Sequence, residues 1–319
     1  MQIVSVSRRT DVPAFYAEWF LARWRAGEVS YRNPFGGALY KISLRPADVL
    51  GFVFWSRNYR PFFPVLEEIE RAGVPFYGHF TVTGLPRSLE TKVPSVDHAV
   101  ETARRLAGRI GPQRLIWRYD PVVLSSVSGP DFHRKRFELL SRALEGSTTR
   151  CVVSFMEPYR KVLRNAASLE RCTGVRMVSC SEEQRRILAC DLAEIAESRG
   201  ISVEACCSDY LLGPDGSGGH ETEPGRAAVR KARCVDADSF AGFGGEREAA
   251  GRAVARRPTR KECGCSASRD IGAYDTCPHG CIYCYANDTP AAAQRNFLRL
   301  RRLPTDRLEL LPPKGFETG

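Results

Sequence analysis

Short runs of β-branched and aromatic residues recur along the chain and predict strands. They lie at 3–7, 51–55, 76–82, 114–118, 151–155 and 201–206. Stretches with apolar residues at helical spacing lie between them, among them 96–110, 131–144 and 181–199. Strands that alternate with helices are typical of parallel β-α units, so the pattern predicts an α/β fold. A further extended run at 39–44 predicts a hairpin with 29–33.

Six such strands suit either an open doubly wound sheet or a partial barrel. No G-x-G-x-x-G follows the first strand and the chain has no P-loop, which disfavours the nucleotide-binding doubly wound folds. We therefore expect a partial (β/α)6 TIM-like barrel. The expected organisation is a barrel over 1–210, a loop-rich insertion over 211–270 and a segment 271–319 that completes the barrel. Within the insertion, 212–245 is rich in Gly, Pro and charge and predicts a long loop.

Composition limits the class of protein further. The 319 residues are 43% hydrophobic, which suits a sizeable core and disfavours disorder. No apolar run approaches the roughly 20 residues that span a bilayer. The first residues do not resemble a signal peptide, so we expect a cytoplasmic protein without a membrane partner. The net charge of +10 comes mostly from arginines spread over the chain. It favours anionic ligands without identifying one, and nucleic acid is not favoured on charge alone.

Polar residues cluster just after several predicted strands, where parallel α/β folds place their active sites. The first strand runs into Ser-Arg-Arg-Thr-Asp at 7–11, the second into Ser-Arg-Asn at 56–58 and the fourth into Arg-Tyr-Asp at 118–120. Helix caps, turn formers and surface pairs would also account for any one of these residues. From the clusters we predict five catalytic residues, Arg8, Arg9, Asp11, Arg118 and Asp120, and three that bind a cofactor, Ser7, Arg57 and Asn58.

The most informative feature is a group of three cysteines near the C-terminus. Cys277, Cys281 and Cys284 have the spacing C-x3-C-x2-C, with Tyr283 just before the last cysteine. In a reducing compartment such thiols bind metal more often than they form disulfides. Three thiolates can hold a four-iron cluster and leave one iron without a protein ligand. Structural zinc is the competing interpretation, although zinc sites prefer paired C-x2-C units and a fourth ligand.

This motif resembles that of the radical S-adenosylmethionine (radical SAM) superfamily, and the string HGCIYCYAN is most similar to its spore photoproduct lyase branch. The resemblance implies a [4Fe-4S] cluster on the three cysteines, S-adenosylmethionine on the open iron and an external electron donor of the flavodoxin or ferredoxin type. Electron transfer then cleaves the sulfonium and yields a 5′-deoxyadenosyl radical. The resemblance extends to Tyr283, which we add to the cofactor-binding residues.

The position of the motif departs from the superfamily, whose members carry it just after the first barrel strand. A circular permutation would resolve the difference. The 201–206 strand would then precede the cysteine loop, a helix at 290–301 would follow it, and the N-terminal strand would take second place in the barrel. The exit of that strand at 7–11 would lie where the superfamily holds the methionine amino group. Gly-Gly-Glu at 244–246 resembles the motif usual at that site, but its place in the chain is wrong and we treat it as a coincidence.

Over most of its length the chain resembles a family known only as domain of unknown function 1848. The matching segments are IVSVSRRTDVPAF, YRNPF, FVFWSRN, FTVTG, IWRYDP, SFMEPY and ECGCSASRDIGAYDTCPHGCIYCYAN. The family supplies no substrate, and it implies the same radical SAM-like cluster near the C-terminus.

A second set of cysteines predicts a further metal site. Its members are Cys207, Cys234, Cys263 and Cys265. Four thiolates suit an auxiliary [4Fe-4S] cluster or a structural zinc, and free thiols on a loop are the alternative. Cys206 could replace Cys207, because neighbouring residues of a strand face opposite ways.

Together these features favour a radical SAM-like enzyme that acts on an unidentified small or anionic substrate. Two alternatives stay open. One is a cluster- or zinc-containing protein that binds or repairs nucleic acid, as the spore photoproduct lyase resemblance suggests. The other is a non-catalytic barrel, stapled by zinc, that binds a small anion.

Overall fold

A central parallel sheet organises the computed structural model, which describes residues 1–34, 36–212, 228–243, 250–251, 253–258 and 260–313. The Gly-Gly-Glu at 244–246 and much of the expected loop at 212–245 lie outside the described residues. In chain order the strands are β1 (Gln2–Val6), β2 (Glu28–Arg32), β3 (Leu39–Ser43), β4 (Val49–Ser56), β5 (Phe76–Thr81), β6 (Leu115–Val122), β7 (Arg150–Phe155), β8 (Ser202–Ala205), β9 (Arg230–Lys231) and β10 (Arg269–Asp270).

Eight of these strands form the sheet, in the order β10-β1-β4-β5-β6-β7-β8-β9, and every neighbouring pair is parallel. From β1 to β9 the order advances in one direction, whereas a doubly wound sheet reverses its order at a switch point. All six predicted sheet strands are present. The predicted hairpin is confirmed as the separate antiparallel pair of β2 and β3.

The helices follow the strands as the periodicity predicts. They are α1 (Val12–Phe15), α2 (Ala17–Ala26), α3 (Phe63–Arg71), α4 (Val96–Ile110), α5 (Pro130–Leu144), α6 (Arg160–Thr173), α7 (Glu182–Glu197) and α8 (Pro290–Leu300). Side-chain capping explains where two of these helices begin. Ser181 and Gln184 form a capping box at α7, and the Thr289 hydroxyl accepts the Ala292 N–H at the start of α8. Within the described residues, no helix is both long and apolar enough to cross a membrane.

The two faces of the sheet are covered differently. Alternate strand residues such as Val4, Phe54 and Trp117 pack against the helices in the main apolar core. The residues between them, such as Ile3 and Ile116, face a smaller cluster made largely of loop residues, several of them cysteines. The helices α2, α3, α4, α5 and α7 contribute to the first core. The second face is therefore left for loops, and it carries polar and thiol side chains.

The strand that precedes the cysteine loop is β10, not 201–206 as we expected. The 201–206 segment forms β8, which lies near the other edge of the sheet, beside β9. Two residues are too few to give an alternating pattern, so β10 is defined by its pairing with β1, through Val4 with Arg269 and Ser5 with Asp270. That pairing puts β1 second in the sheet, the place that the permuted order predicts.

Candidate metal centre

The three cysteines of the C-x3-C-x2-C motif lie on one loop between β10 and α8. Backbone hydrogen bonds fix this loop on the segment that follows β5. The Ile282 N–H donates to the Leu89 carbonyl at 3.0 Å, and the Lys92 N–H donates to the His279 carbonyl at 2.9 Å. The loop is thus held on this segment by backbone hydrogen bonds on both sides of the middle cysteine.

Gly280 is required where the loop meets this segment. Its φ is +72°, a conformation that costs other residues about 1–2 kcal/mol. A Cβ at this position would lie 2.1 Å from the Thr91 hydroxyl oxygen, far inside contact distance. The absence of a side chain lets the two segments touch, and the Thr91 hydroxyl donates to the Gly280 carbonyl at 3.2 Å.

The three thiols lie near one another, with Cys281 buried and Cys277 and Cys284 half-buried. Burial raises the pKa of Cys277 well above its ordinary value, and Asp11 and the other two thiols raise it further. Burial also raises the pKa of Cys281 to about 12, although Arg57 opposes the shift. Burial raises the pKa of Cys284 as well. A bound cation would reverse this balance, because a metal deprotonates the thiols that bind it.

Backbone N–H groups are directed at two of the three sulfurs. The His279 N–H hydrogen-bonds the Cys277 sulfur, and the N–H groups of Ala286 and Asn287 hydrogen-bond the Cys284 sulfur. Each of these bonds favours the thiolate form. Hydrogen bonds to cysteine sulfurs are among the features that set the potential of iron–sulfur clusters.

Asp11, a predicted catalytic residue, has both carboxylate oxygens bonded to protein groups. One oxygen accepts from the Ala14 N–H at 3.0 Å and from the Ser56 hydroxyl at 2.7 Å. The other accepts from the Arg57 N–H at 2.8 Å and from His279 Nε2 at 2.8 Å. Asp11 therefore joins the ends of β1 and β4 to the cysteine loop, a positioning role.

Arg57 and Tyr283, both predicted to bind a cofactor, belong to one buried network under the loop. The Arg57 guanidinium pairs with Glu90 at 2.9 Å and donates to the Tyr283 hydroxyl at 2.6 Å. Glu90, 1% exposed, also accepts from Tyr283 and, at 2.7 Å, from Thr83. Burial alone would lower the pKa of Arg57, but Glu90 together with Tyr283 and the nearby thiols outweighs it, and the net shift is upward. Sequence reasoning missed Glu90, which lies outside any motif.

The exit of β1 is organised by Asp270, which the sequence analysis also missed. Its carboxylate accepts from the Ser5 hydroxyl at 2.8 Å, the Ser7 hydroxyl at 2.6 Å and the Arg8 N–H at 2.8 Å. The guanidinium groups of Arg8 and Arg9 lie 3.7 and 3.9 Å from it. The predicted residues at 7–9 thus form one cluster around this buried carboxylate. The signal that the sequence offers for Asp270 is its position five residues after Cys265.

A cationic edge lies beside the loop. The guanidinium carbon of Arg9 is 5.5 Å from the centroid of the Tyr274 ring, and the Lys161 amino group is 5.7 Å from it. Lys161 is also close enough to Cys284 to lower the pKa of that thiol. Two cations next to the candidate centre favour an anionic group at this place.

Arg118 and Asp120 lie on the face of the sheet that carries the second set of cysteines. Arg118 pairs with Asp120 and donates to the Cys234 sulfur at 3.2 Å. Its guanidinium carbon lies 5.1 Å from the Trp55 ring centroid. Asn58, the remaining predicted residue, accepts the Arg60 N–H at 3.1 Å in a local turn. The predicted rim residues therefore separate into two groups.

The second set of predicted ligands is brought together. Cys207, Cys234, Cys263 and Cys265 lie in one cluster, although three separate segments of chain supply them. Cys206 lies in the same cluster, so both neighbours at the end of β8 take part. All twelve cysteines of the chain are free thiols.

Across the part of the chain that the structure describes, no three His, Cys, Asp or Glu side chains are arranged to hold a metal ion directly. The fit of a cluster at the loop therefore rests on its donors: three neighbouring thiols, one buried and two half-buried, and the N–H groups directed at two of them. Two buried atoms there have no hydrogen-bond partner, the Thr10 hydroxyl and the Asn287 side-chain carbonyl. Asn287 is tied to the loop through its amide, which donates to the Cys277 carbonyl at 2.8 Å. The donor set suits a four-iron cluster, with polar atoms left for a ligand.

Fold and site define an α/β protein with a parallel sheet and a thiol-rich candidate centre after its β10 strand. The chain belongs to the family described as Domain of unknown function (DUF1848), whose model matches residues 3–286. No curated protein matches the chain. No solved structure matches it either.

Proposed function

We propose that the protein is a radical SAM-type enzyme whose [4Fe-4S] cluster is held by Cys277, Cys281 and Cys284. The observation that carries the proposal is the loop: three neighbouring thiols, one buried and two half-buried, with backbone N–H groups directed at two of them. Three protein thiolates leave one iron of such a cluster open to S-adenosylmethionine. A site closed by a fourth protein ligand would be typical of a structural metal instead.

The strand order supports the proposal through a permuted partial barrel. β10, the cysteine loop and α8 correspond to its first strand, loop and helix, and β1 follows as the second strand. β4, β5, β6 and β7 continue the series to six. A series of parallel strands that advances one way, with helices packed on one face, is the winding of a (β/α) barrel.

When bound, the cluster and S-adenosylmethionine supply a 5′-deoxyadenosyl radical for hydrogen abstraction, with an electron from an external donor of the flavodoxin or ferredoxin type. The chain's own residues bind and orient the cosubstrate and the substrate. Arg9 and Lys161 attract an anionic group of the cosubstrate or substrate to the edge beside Tyr274. The buried side-chain carbonyl of Asn287 is an acceptor suited to an ammonium donor. Asp11 fixes the loop through His279.

Metal analysis of anaerobically reconstituted protein tests the proposal. The wild type should contain about four more irons and four more sulfides per chain than a Cys277/Cys281/Cys284→Ala variant. Cys172→Ala, which removes an exposed thiol, is the matched control and should keep the wild-type content. Equal iron in wild type and triple variant would overturn the proposal. Zinc in place of iron would favour the non-catalytic, zinc-stapled alternative.

A further inference from the structure

Five cysteines outside the 277–284 loop have no part in the proposed function, yet they lie in one cluster: Cys206, Cys207, Cys234, Cys263 and Cys265. The Cys206 sulfur is 3.3 Å from that of Cys234 and 3.9 Å from that of Cys207. Cys207 and Cys265 each lie close enough to Cys263, and Cys265 close enough to Cys234, for the pKa of one thiol to respond to the other. The five thiols, here called the thiol ring, form a closed series of contacts.

The thiol ring joins the two edges of the sheet. Two of its members, Cys206 and Cys207, follow β8, and Cys234 follows the edge strand β9. Cys263 and Cys265 precede β10, the opposite edge strand. All five pack with apolar residues on the face that the helices leave uncovered. A group bound to the ring would therefore cross-link three segments that already touch through their backbones, since β8 pairs with β9 and the Ser266 N–H donates to the Val235 carbonyl at 2.8 Å.

Positive charge surrounds the thiol ring. The Arg118 guanidinium donates to the Cys234 sulfur at 3.2 Å. Arg8 and Arg260 lie close enough to other thiols of the ring to interact with them electrostatically. Four thiolates around a divalent ion carry a net charge of about −2, which neighbouring arginines stabilise. The arrangement suits a ring in its metal-bound form.

We propose that the thiol ring is a second metal centre, which binds zinc or an iron–sulfur group through four of its five sulfurs. Two sulfurs bound to one tetrahedral ion with bonds of about 2.3 Å lie about 3.8 Å apart. The separations of 3.3 and 3.9 Å at Cys206 are close to this value. Binding draws the thiols inward and releases one proton from each that binds. The site is separate from the 277–284 loop and does not depend on the proposed function.

Metal analysis in the Cys277/Cys281/Cys284→Ala background tests the thiol ring alone. Zinc, iron and sulfide are measured after aerobic growth with zinc and after anaerobic reconstitution. We expect about one zinc per chain after aerobic growth, or about four irons with sulfide per chain after anaerobic reconstitution. The preparation that contains metal identifies the metal of the ring. Adding Cys234→Ser and Cys265→Ser should lower the content at least tenfold, while adding Cys151→Ala, another buried thiol, should not. No metal in either arm, or two thiols lost to a disulfide, would overturn the proposal.

A titration with cobalt avoids the risk that the multiple variants do not fold. The full wild-type chain is stripped with a chelator and titrated with Co²⁺, and the thiolate-to-cobalt absorption is recorded. The band should form, and Cys234→Ser alone should weaken it. Because Cys206 and Cys207 are adjacent and a tetrahedral site needs only one of them beside the other three thiols, Cys206→Ser or Cys207→Ser should retain it. No band in the wild type, or its loss in both of these variants, would contradict the four-sulfur centre.

Discussion

The two cysteine groups of this protein are built in opposite ways. The 277–284 loop draws its three thiols from one segment, and backbone N–H groups approach its sulfurs. The thiol ring draws five thiols from three segments, and its sulfurs accept both from a side chain, Arg118 to Cys234, and from a backbone N–H, Val235 to Cys265 at 3.4 Å. A local ligand set needs only its loop to be positioned, whereas the ring exists only when both edges of the sheet are in place.

This difference predicts how each cysteine group contributes to the stability of the protein. The loop is set on buried polar contacts beneath it, such as Glu90 and Asp11, so damage there should affect the site and the fold together. The thiol ring joins separate segments, so loss of its metal should lower the free energy of unfolding more than any local change at the ring's surface. Substitutions at the contacts that support the loop should therefore destabilise the protein more than matched substitutions elsewhere.

Glu90→Leu should have the largest effect. It leaves the Arg57 guanidinium buried without its carboxylate, which costs about 3–5 kcal/mol of the free energy of unfolding. Urea unfolding measures the loss. Glu68→Leu, which breaks an exposed pair with Arg25, is the control and should shift the midpoint far less. Equal shifts of the urea midpoint in the two variants would show that the buried network of Arg57 and Glu90 does not stabilise the fold.

Asp270→Asn should cost about 2–3 kcal/mol, because the carboxylate accepts several hydrogen bonds where β1 meets β10. Urea unfolding again gives the value. Asp97→Asn, in the exposed first turn of α4, should cost less than about 1 kcal/mol. A loss no greater than that of the control would contradict the role of Asp270 at the exit of β1.

Gly280→Ala should cost about 1–3 kcal/mol more than Gly174→Ala. Both glycines have φ near +70°, but a Cβ at Gly174 would meet nothing within 4 Å, whereas one at Gly280 would strike Thr91. Adding Thr91→Ala removes the struck hydroxyl and should recover part of the difference. Identical costs for the two glycine variants would mean that the loop does not lie against this segment.

The smallest effect concerns pH and a residue distant from both groups. Burial lowers the pKa of His133 to about 4, and the ring bonds the Tyr119 hydroxyl and the Val123 carbonyl. Below pH 6.5 the unfolded chain takes up a proton that the folded chain does not, so stability falls with acidification. From pH 7 to 5.5 this residue should account for about 1 kcal/mol. In His133→Gln, the free energy of unfolding measured with urea should fall by that much less between pH 7 and 5.5 than in the wild type. An equal fall in both proteins would contradict this role of His133.

Much of the fold follows from local patterns. The periodicity predicts α4 at its observed bounds, and the six sheet strands and the hairpin are confirmed within a few residues. β10 could not be predicted, because two residues carry no pattern and its pairing with β1 depends on contacts distant in sequence.

The candidate site shows the same limit. The spacing of the three cysteines is visible in the chain, as is Tyr283 beside them. Glu90 and Asp270 carry no such signal, since their importance comes from the buried cations and hydroxyls that the fold brings to them. Arg118 and Arg57 looked equivalent after their strands, but one reaches the thiol ring and the other lies under the loop.

The most direct single test is the EPR spectrum of the anaerobically reduced protein before and after S-adenosylmethionine is added. We expect a [4Fe-4S] signal that S-adenosylmethionine perturbs in the wild type, because one iron lacks a protein ligand. The Cys277/Cys281/Cys284→Ala variant should show no S-adenosylmethionine-dependent change, even if the thiol ring contributes a signal of its own. A wild-type spectrum without a cluster signal, or one that S-adenosylmethionine leaves unchanged, would contradict the assignment of the loop as an open-iron site.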